Sequence, residues 1–207
     1  MSVRVLIVSI SGRDEKRRTT LHRTLLHLNM QTIRVQVLVI VSGCSPNLCE
    51  WRRQIVNQFP SVEYLWSNQP LSQSEGWKLA TESVSWNDGD IILLHDDDDT
   101  SHADRCRIQR DVISKKDIIT AVPVWRPSKP RARVTRANFC AIPNGTDTPA
   151  LGMTMRSFRY LMHTCGSSKN RYHDVKLWQS ILLCPFFSRY FMIIFKRACP
   201  SSRESVL

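Results

Sequence analysis

Four consecutive aspartates, Asp96, Asp97, Asp98 and Asp99, are the residues whose type and spacing most directly imply chemistry. They follow the apolar run 91–95, which predicts a buried strand that delivers the carboxylates to its C-terminal end. Like charges packed together cost stability unless a cation compensates them. Mg²⁺ and Mn²⁺ prefer oxygen ligands and commonly bridge carboxylates to phosphates. The tetrad therefore predicts a metal site for a nucleotide diphosphate, the alternative being a solvated acidic turn.

Strands and helices are predicted to alternate on both sides of the tetrad. Apolar, β-branched runs predict strands at 3–10, 35–41, 62–66, 91–95 and 118–124. Apolar residues at helical spacing predict helices at 17–28, 48–59, 72–85 and 103–114. This order predicts an α/β fold with a mostly parallel sheet and helices on both faces. Ligands bind beyond the carboxyl ends of such strands, so the loops 11–13, 42–45 and 96–99 are expected to converge on one cleft.

The rest of the chain is predicted to complete the same domain. Helices are expected near 155–164 and 174–183, with a closing strand near 190–195. A chain of 207 residues is long enough for one substantial core, and we expect a single domain over residues 1–200. The polar segment 201–207 is expected to be a disordered tail.

Cysteine usage and hydropathy indicate the cellular setting. Seven cysteines without C-x-x-C spacing favour reduced thiols. The N-terminal apolar stretch is too short and too β-branched for a signal peptide, and no apolar run approaches the ~20 residues needed to span a bilayer. We therefore expect a cytoplasmic protein, with peripheral contact to a membrane left open.

The positive charge is concentrated in the second half of the chain. Residues 1–117 contain 15 Lys/Arg and 15 Asp/Glu, whereas residues 118–207 contain 14 and three, which accounts for the net charge of +11. This asymmetry predicts an anionic partner such as a phosphorylated acceptor or an anionic lipid, the alternative being a solvated basic face. A specific nucleic acid is not predicted, because no aromatic residue interleaves the basic stretch 126–136.

Four segments, in this order, resemble glycosyltransferases of the GT-A fold, closest to the large inverting family 2. They are the first strand with its loop over residues 5–13, Gln31-Thr32, the aspartates with His102-Ala103-Asp104-Arg105, and His173-Asp174-Val175-Lys176-Leu177-Trp178. The third segment resembles the family's D-x-D-D sequence with its downstream h-p-d-k. The fourth resembles the family's Glu-Asp-x-x-Leu-Trp sequence, which carries the catalytic base.

The resemblance implies a single GT-A, Rossmann-like domain that transfers a sugar from a nucleotide diphosphate to an acceptor hydroxyl. It implies an inverting single displacement with Mn²⁺ or Mg²⁺ as cofactor. Residues 1–117 would form the half that binds the nucleotide sugar, and residues 118–200 the half that binds the acceptor. A UDP- or dTDP-sugar is the favoured donor, and the acceptor would be a glycan, a lipid-linked group or a protein.

The resemblance also implies roles for individual residues. Asp98 would bind the metal together with Asp96 and Asp99, and Asp96 would also face the nucleoside. Asp97 is also placed among the residues that bind the donor. Asp97 and Asp99 remain ambiguous, since either could bind the water shell of the metal or face solvent, and a shift of one residue would make them the metal-binding pair. The donor-binding residues implied in the two neighbouring loops are Ile10, Ser11, Arg13 and Ser42.

Asp174 is the implied catalytic base, which takes the proton of the acceptor hydroxyl. Beyond residue 117 the other carboxylates are Asp147, in a predicted turn, and Glu204, in the tail. The alternative for Asp174 is an acid in the first turn of a helix, where the macrodipole favours it. His173 stands in place of the family's glutamate and could orient the acceptor, pair with Asp174 or cap the structure.

The loop after the second strand departs from the family. Ser42 stands where a carboxylate commonly contacts uracil, and a hydroxyl can bond a base edge without carrying charge. Two alternatives to a glycosyltransferase stay open. One is a nucleotidyltransferase of related fold, for which the loop 11–18 is a partial match with one glycine. The other is a degenerate, non-catalytic member that binds an anionic partner through the basic half.

Overall fold

The computed structural model describes residues 2–44, 48–116, 119–122, 150–165 and 191–193. Strands and helices alternate through this part of the chain. The strands are β1 (Val3–Ser9), β2 (Gln36–Val41), β3 (Val62–Trp66), β4 (Ile91–His95), β5 (Ile119–Val122), β6 (Ala150–Thr154) and β7 (Phe191–Ile193). The helices are α1 (Glu15–Asn29), α2 (Cys49–Gln58), α3 (Gln73–Ser83), α4 (Arg105–Lys116) and α5 (Met155–Cys165). The predicted order of elements is confirmed, with ends that agree to within about two residues where they are described.

The strands form one seven-stranded sheet in the order β3-β2-β1-β4-β6-β5-β7. β1 lies parallel to β2 and β4, β2 lies parallel to β3, and β5 lies parallel to β7. β6 runs antiparallel to both of its neighbours, β4 and β5. The predicted mostly parallel sheet is therefore confirmed. β6 itself is an addition, because its short sequence Ala-Leu-Gly-Met-Thr does not alternate and predicts no strand.

Helices cover both faces of the sheet, which makes β4 a strand buried along its whole length. On one face, α3 and α5 meet through an edge-to-face contact of Trp77 and Phe158, whose ring centroids lie 5.9 Å apart. On the other face, α1, α2 and α4 bury Leu25, Ile55 and Ile113 against the sheet. A buried strand between two helical layers cannot shift, so the residues that follow it are held in a fixed position.

The sheet contains strands from both predicted halves, since β6 pairs with β4. The predicted helix near 155–164 is confirmed as α5, and the closing strand near 190–195 contains β7. The basic stretch 126–136, the predicted helix near 174–183 and the tail 201–207 lie outside the described residues. The domain limits stay a prediction. Within the described ranges, we find no helix with the length and apolar character required to cross a membrane.

Candidate metal and nucleotide site

The aspartate tetrad forms a turn at the carboxyl end of β4, and α1 holds the backbone of that turn. The hydroxyl of Thr24 lies 3.1 Å from the carbonyl oxygen of Asp97 and 3.0 Å from that of Asp99, and donates to them. On the other side, Nδ1 of His95 donates to the carbonyl of Asp96 at 2.7 Å. These contacts fix the turn, and with it the directions in which the four carboxylates leave the backbone.

Three of the four carboxylates form a group that could hold a metal ion. One oxygen from each of Asp96, Asp98 and Asp99 lies within 4.8 Å of the others. Oxygen donors grouped at this spacing suit Mg²⁺ or Mn²⁺, so the donor set fits the cofactor that the sequence implies. Asp97 lies outside this group, which favours the predicted set over the alternative pair of Asp97 and Asp99. Metal binding by these residues stays a prediction.

Asp97 connects three elements of the fold. Oγ of Ser9, the last residue of β1, donates to Oδ2 of Asp97 at 2.5 Å. Nη1 of Arg17, in the first turn of α1, donates to Oδ1 at 2.8 Å. Burial raises the pKa of the Asp97 carboxyl, although Ser9 and Arg17 act in the opposite direction. Both oxygens have protein donors, so Asp97 holds β1, β4 and α1 together, and its predicted nucleotide contact stays untested.

Arg17 supplies a cation that sequence reasoning did not find. Its Nη1 also lies 2.7 Å from Oδ2 of Asp98, so a single guanidinium nitrogen contacts two adjacent carboxylates. Partial burial lowers the pKa of Arg17, but Asp97 and Asp98 outweigh that effect and raise it overall. Three strands and two helices separate Arg17 from the tetrad along the sequence, so only the folded sheet brings them together.

A second arginine lies behind the tetrad. Arg105 is fully buried, and its Nη2 donates to the carbonyl of Leu94 at 2.7 Å, while its Nε donates to Oε1 of Gln109 at 2.9 Å. Its Nη1 has no hydrogen-bond partner among the described residues. Burial lowers the pKa of Arg105 overall, although the nearby charges of Asp99 and Asp96 act in the opposite direction. Arg105 thus grips the end of β4 and places positive charge beside the carboxylates.

The loops after β1 and β2 meet next to the tetrad, as predicted. The amide of Ser42 donates to the carbonyl of Ser9 at 2.8 Å. At Gly12, an added Cβ would lie 2.6 Å from the carbonyl oxygen of Ser42 and 2.8 Å from the amide nitrogen of Cys44. Only glycine permits backbones to approach this closely. Gln73, at the start of α3, reaches the same place and donates to Oδ1 of Asp96 at 3.3 Å.

The predicted donor-binding residues of these loops have distinct surroundings. The amide of Leu71 donates to the Ser42 hydroxyl at 2.6 Å, so this hydroxyl already has a backbone partner. Oγ of Ser11 is buried without a hydrogen-bond partner among the described residues. The exposed Arg13 packs on Gly43, and the carbonyl of Ile10 accepts from the amide of Arg13 at 3.0 Å. Their contacts with a nucleotide stay predictions.

The proposed catalytic residues Asp174 and His173 lie outside the described residues. The described residues bring together the carboxylate group, two arginines and two loops, which the sequence predicts to bind the donor. The catalytic roles of Asp174 and His173 stay predictions from the sequence.

The burial of His95 predicts that the free energy of unfolding depends on pH. Burial, with a smaller effect from Arg105, lowers the pKa of His95 to about 3. In the unfolded chain His95 takes up a proton near pH 6.5, whereas in the native protein it does so only near pH 3. Because the unfolded state binds more protons between these values, the free energy of unfolding falls as the pH falls. We expect His95 to reduce it by about 1 kcal/mol between pH 7 and pH 5.5.

Urea titrations in EDTA at the two pH values, on wild type and His95→Asn, would measure this effect. Asparagine can donate to the carbonyl of Asp96 but does not titrate, so the free energy of unfolding of the His95→Asn variant should depend less on pH. Equal pH dependence in both proteins would contradict the prediction.

Solved structures match this architecture, whereas neither a protein-family model nor a curated protein sequence matches the chain. The S. aureus TarS fragment 1–349 superposes with a TM-score of 0.64 at 12% identity, covering 96% of this chain and 59% of that one. Its complex with UDP gives a TM-score of 0.63 over the same shares of the two chains. The chain has a GT-A-like glycosyltransferase fold.

The GT-A-like fold extends to proteins of two enzyme classes. GalNAc-T7, solved with UDP, GalNAc and Mn²⁺, matches with a TM-score of 0.55 at 12% identity over 86% of this chain and 40% of that one. A nucleotidyltransferase, 4-diphosphocytidyl-2C-methyl-D-erythritol synthase from Anaerococcus prevotii DSM 20548, gives 0.57 at 10% identity over 94% and 86%. This chain spans 59% of the TarS fragment. At these identities the likeness establishes the fold.

Proposed function

We propose that this protein is a metal-dependent glycosyltransferase that moves a sugar from a nucleotide diphosphate to an acceptor hydroxyl by inverting displacement. One observation carries the proposal: oxygens of Asp96, Asp98 and Asp99 lie within 4.8 Å of one another at the carboxyl end of β4, in a mostly parallel sheet. This is where ligands bind in such sheets. The UDP in the TarS complex and the UDP and Mn²⁺ in GalNAc-T7 support the same donor chemistry here.

The donor half would bind and orient the nucleotide sugar. Asp96, Asp98 and Asp99 would hold Mn²⁺ or Mg²⁺. When bound, that ion would neutralise the charge that develops on the leaving diphosphate. The exposed Arg13 guanidinium is suited to a phosphate oxygen, and the adjoining loops would enclose the nucleoside. Because Thr24 and the Ser9–Asp97 bond fix the turn before any ligand arrives, little reorganisation is needed during the reaction.

The acceptor half would supply the base. Asp174 would take the proton from the acceptor hydroxyl as its oxygen attacks the anomeric carbon, and the bond to the diphosphate would break on the opposite face. His173 would orient the acceptor or Asp174. The acceptor would be a glycan, a lipid-linked group or a protein, and the basic second half would favour an anionic acceptor or contact with a membrane surface. Such an enzyme would act in the cytoplasm.

Calorimetric titration of UDP, dTDP and GDP, with Mn²⁺ or with EDTA, tests the donor site. We expect wild type to bind one diphosphate only with metal, and Asp98→Ala to bind it at least about tenfold more weakly, because a metal ligand is lost. Glu82→Ala removes the same charge from an exposed position on α3 and should bind like wild type. Lack of binding to any diphosphate with Mn²⁺, or equal binding by Asp98→Ala, would reject the donor site.

A nucleotidyltransferase is the second candidate, favoured by the match to the Anaerococcus prevotii enzyme over 86% of that chain. The products separate the two functions. A nucleotidyltransferase would consume a nucleoside triphosphate and release pyrophosphate, whereas the proposed enzyme would release a nucleoside diphosphate from a nucleotide sugar.

A further inference from the structure

Arg17 contacts two carboxylates that have different surroundings. The side chain of Asp97 is 7% exposed, whereas that of Asp98 is 24% exposed and that of Arg17 itself is 33% exposed. Ser9 holds Asp97 in place with a 2.5 Å hydrogen bond. The Arg17–Asp97 pair is therefore the anchored contact, and the Arg17–Asp98 pair lies on the solvent side, where one partner can be exchanged for another.

Asp98 belongs to two groups at once. It is one of the three carboxylates whose oxygens could share a metal ion, and its Oδ2 already lies 2.7 Å from Nη1 of Arg17. A divalent ion bound by Asp98 would repel a guanidinium at this distance, since both cations would share one carboxylate group. Metal binding must then either displace Arg17 from Asp98 or proceed against this repulsion.

The charges of the site support such a competition. The four aspartates carry four negative charges, and Arg17 and Arg105 carry two positive ones, which leaves two negative charges among these six residues. Without Arg17 three negative charges would remain, and the attraction for a free divalent ion would be stronger.

We infer that Arg17 is a built-in counter-ion that holds Asp98 while the metal is absent and weakens the binding of free Mn²⁺ or Mg²⁺. A nucleotide diphosphate adds negative charge next to both cations, so it offsets their repulsion and tightens metal binding. Metal and diphosphate therefore bind together more strongly than the metal binds alone. This part of the inference rests on the proposed function.

Titration of Mn²⁺ without nucleotide, followed by electron paramagnetic resonance of the free ion at low ionic strength, tests the inference. We expect Arg17→Gln to bind Mn²⁺ about tenfold more tightly than wild type, because the competing charge is gone. Lys16→Gln removes the same charge from the adjacent, exposed position of α1 and should change the affinity less than about twofold. Arg17→Lys keeps the positive charge and should stay closer to wild type than Arg17→Gln does.

Addition of UDP provides a second measurement. UDP should tighten Mn²⁺ binding by a larger factor in wild type than in Arg17→Gln, because only wild type has the repulsion that UDP relieves. Circular dichroism establishes that the variants are folded. If Arg17→Gln does not fold, Arg17→Met, which keeps an apolar stem against α1, carries the same expectation.

The outcomes separate the inference from the function beneath it. If wild type binds Mn²⁺, and folded Arg17→Gln binds it with equal or lower affinity, the role of Arg17 is overturned and the proposed metal site stays intact. Absence of Mn²⁺ binding from wild type and from Arg17→Gln, with UDP present, would overturn the inference together with the metal site.

Discussion

Replacement of Asp174 by asparagine is expected to reduce turnover by about 10²–10⁴-fold and to leave metal-dependent binding of the nucleotide diphosphate unchanged. Asparagine is close to aspartate in size but cannot accept a proton, so it removes the base and preserves the shape of the site. The donor side should be unaffected, because the metal group and the nucleotide loops are all formed by residues before residue 117. Turnover is measured as nucleoside diphosphate released from the donor sugar that calorimetry identifies.

Asp147→Asn is the matched control, since it makes the same change at a carboxylate that the sequence places in a turn. It should retain wild-type turnover. Equal activity of Asp174→Asn and wild type would show that Asp174 is not the base. A loss of nucleotide binding in parallel with turnover would place Asp174 in binding instead of proton transfer.

Gly12→Ala is expected to lower the free energy of unfolding by roughly 1–3 kcal/mol and to weaken nucleotide binding. The added methyl group would lie 2.6 Å from the carbonyl oxygen of Ser42 and 2.8 Å from the amide nitrogen of Cys44. Both are backbone atoms, which cannot move aside as a flexible side chain can. The loops after β1 and β2 must then separate, and the proposed nucleoside pocket lies between them. Urea titration and calorimetry measure the two effects.

Gly89→Ala serves as the control for Gly12→Ala. A Cβ at Gly89 would meet no atom within 4 Å, so the substitution should change the free energy of unfolding by less than about 0.5 kcal/mol or stabilise the protein slightly. Nucleotide binding should not change. Similar losses of stability and nucleotide binding in the two variants would show that the close backbone approach at Gly12 is not required for either.

The sequence contained enough information to locate the donor side of the site. The apolar run of β4 ends at four aspartates, and parallel strands place their following loops at one edge of the sheet. Both facts follow from local composition and from the alternation of strands and helices. The prediction that the loops and the tetrad converge on one place needed no knowledge of side-chain packing.

Contacts between distant side chains could not be predicted in the same way. Arg17 is one of three consecutive cationic residues in α1, and only the packing of α1 against β4 selects it as the partner of Asp97. An arginine in a helix is usually exposed, yet Arg105 is buried and donates hydrogen bonds to the carbonyl of Leu94 and to the side chain of Gln109. β6 was missed because pairing with β4 and β5, and not its own sequence, makes it a strand.

The position of β6 also has a consequence for biosynthesis. Ile91 of β4 pairs with Thr154 of β6, which the ribosome adds about sixty residues later. Until then one edge of this fully buried strand has no partner for its amides and carbonyls, which makes the nascent chain prone to association through that edge. β4 thus gains its second neighbour only after β6 has been made, whereas the residues of β1 and α1 that hold the turn after β4 are already present when the aspartates are added.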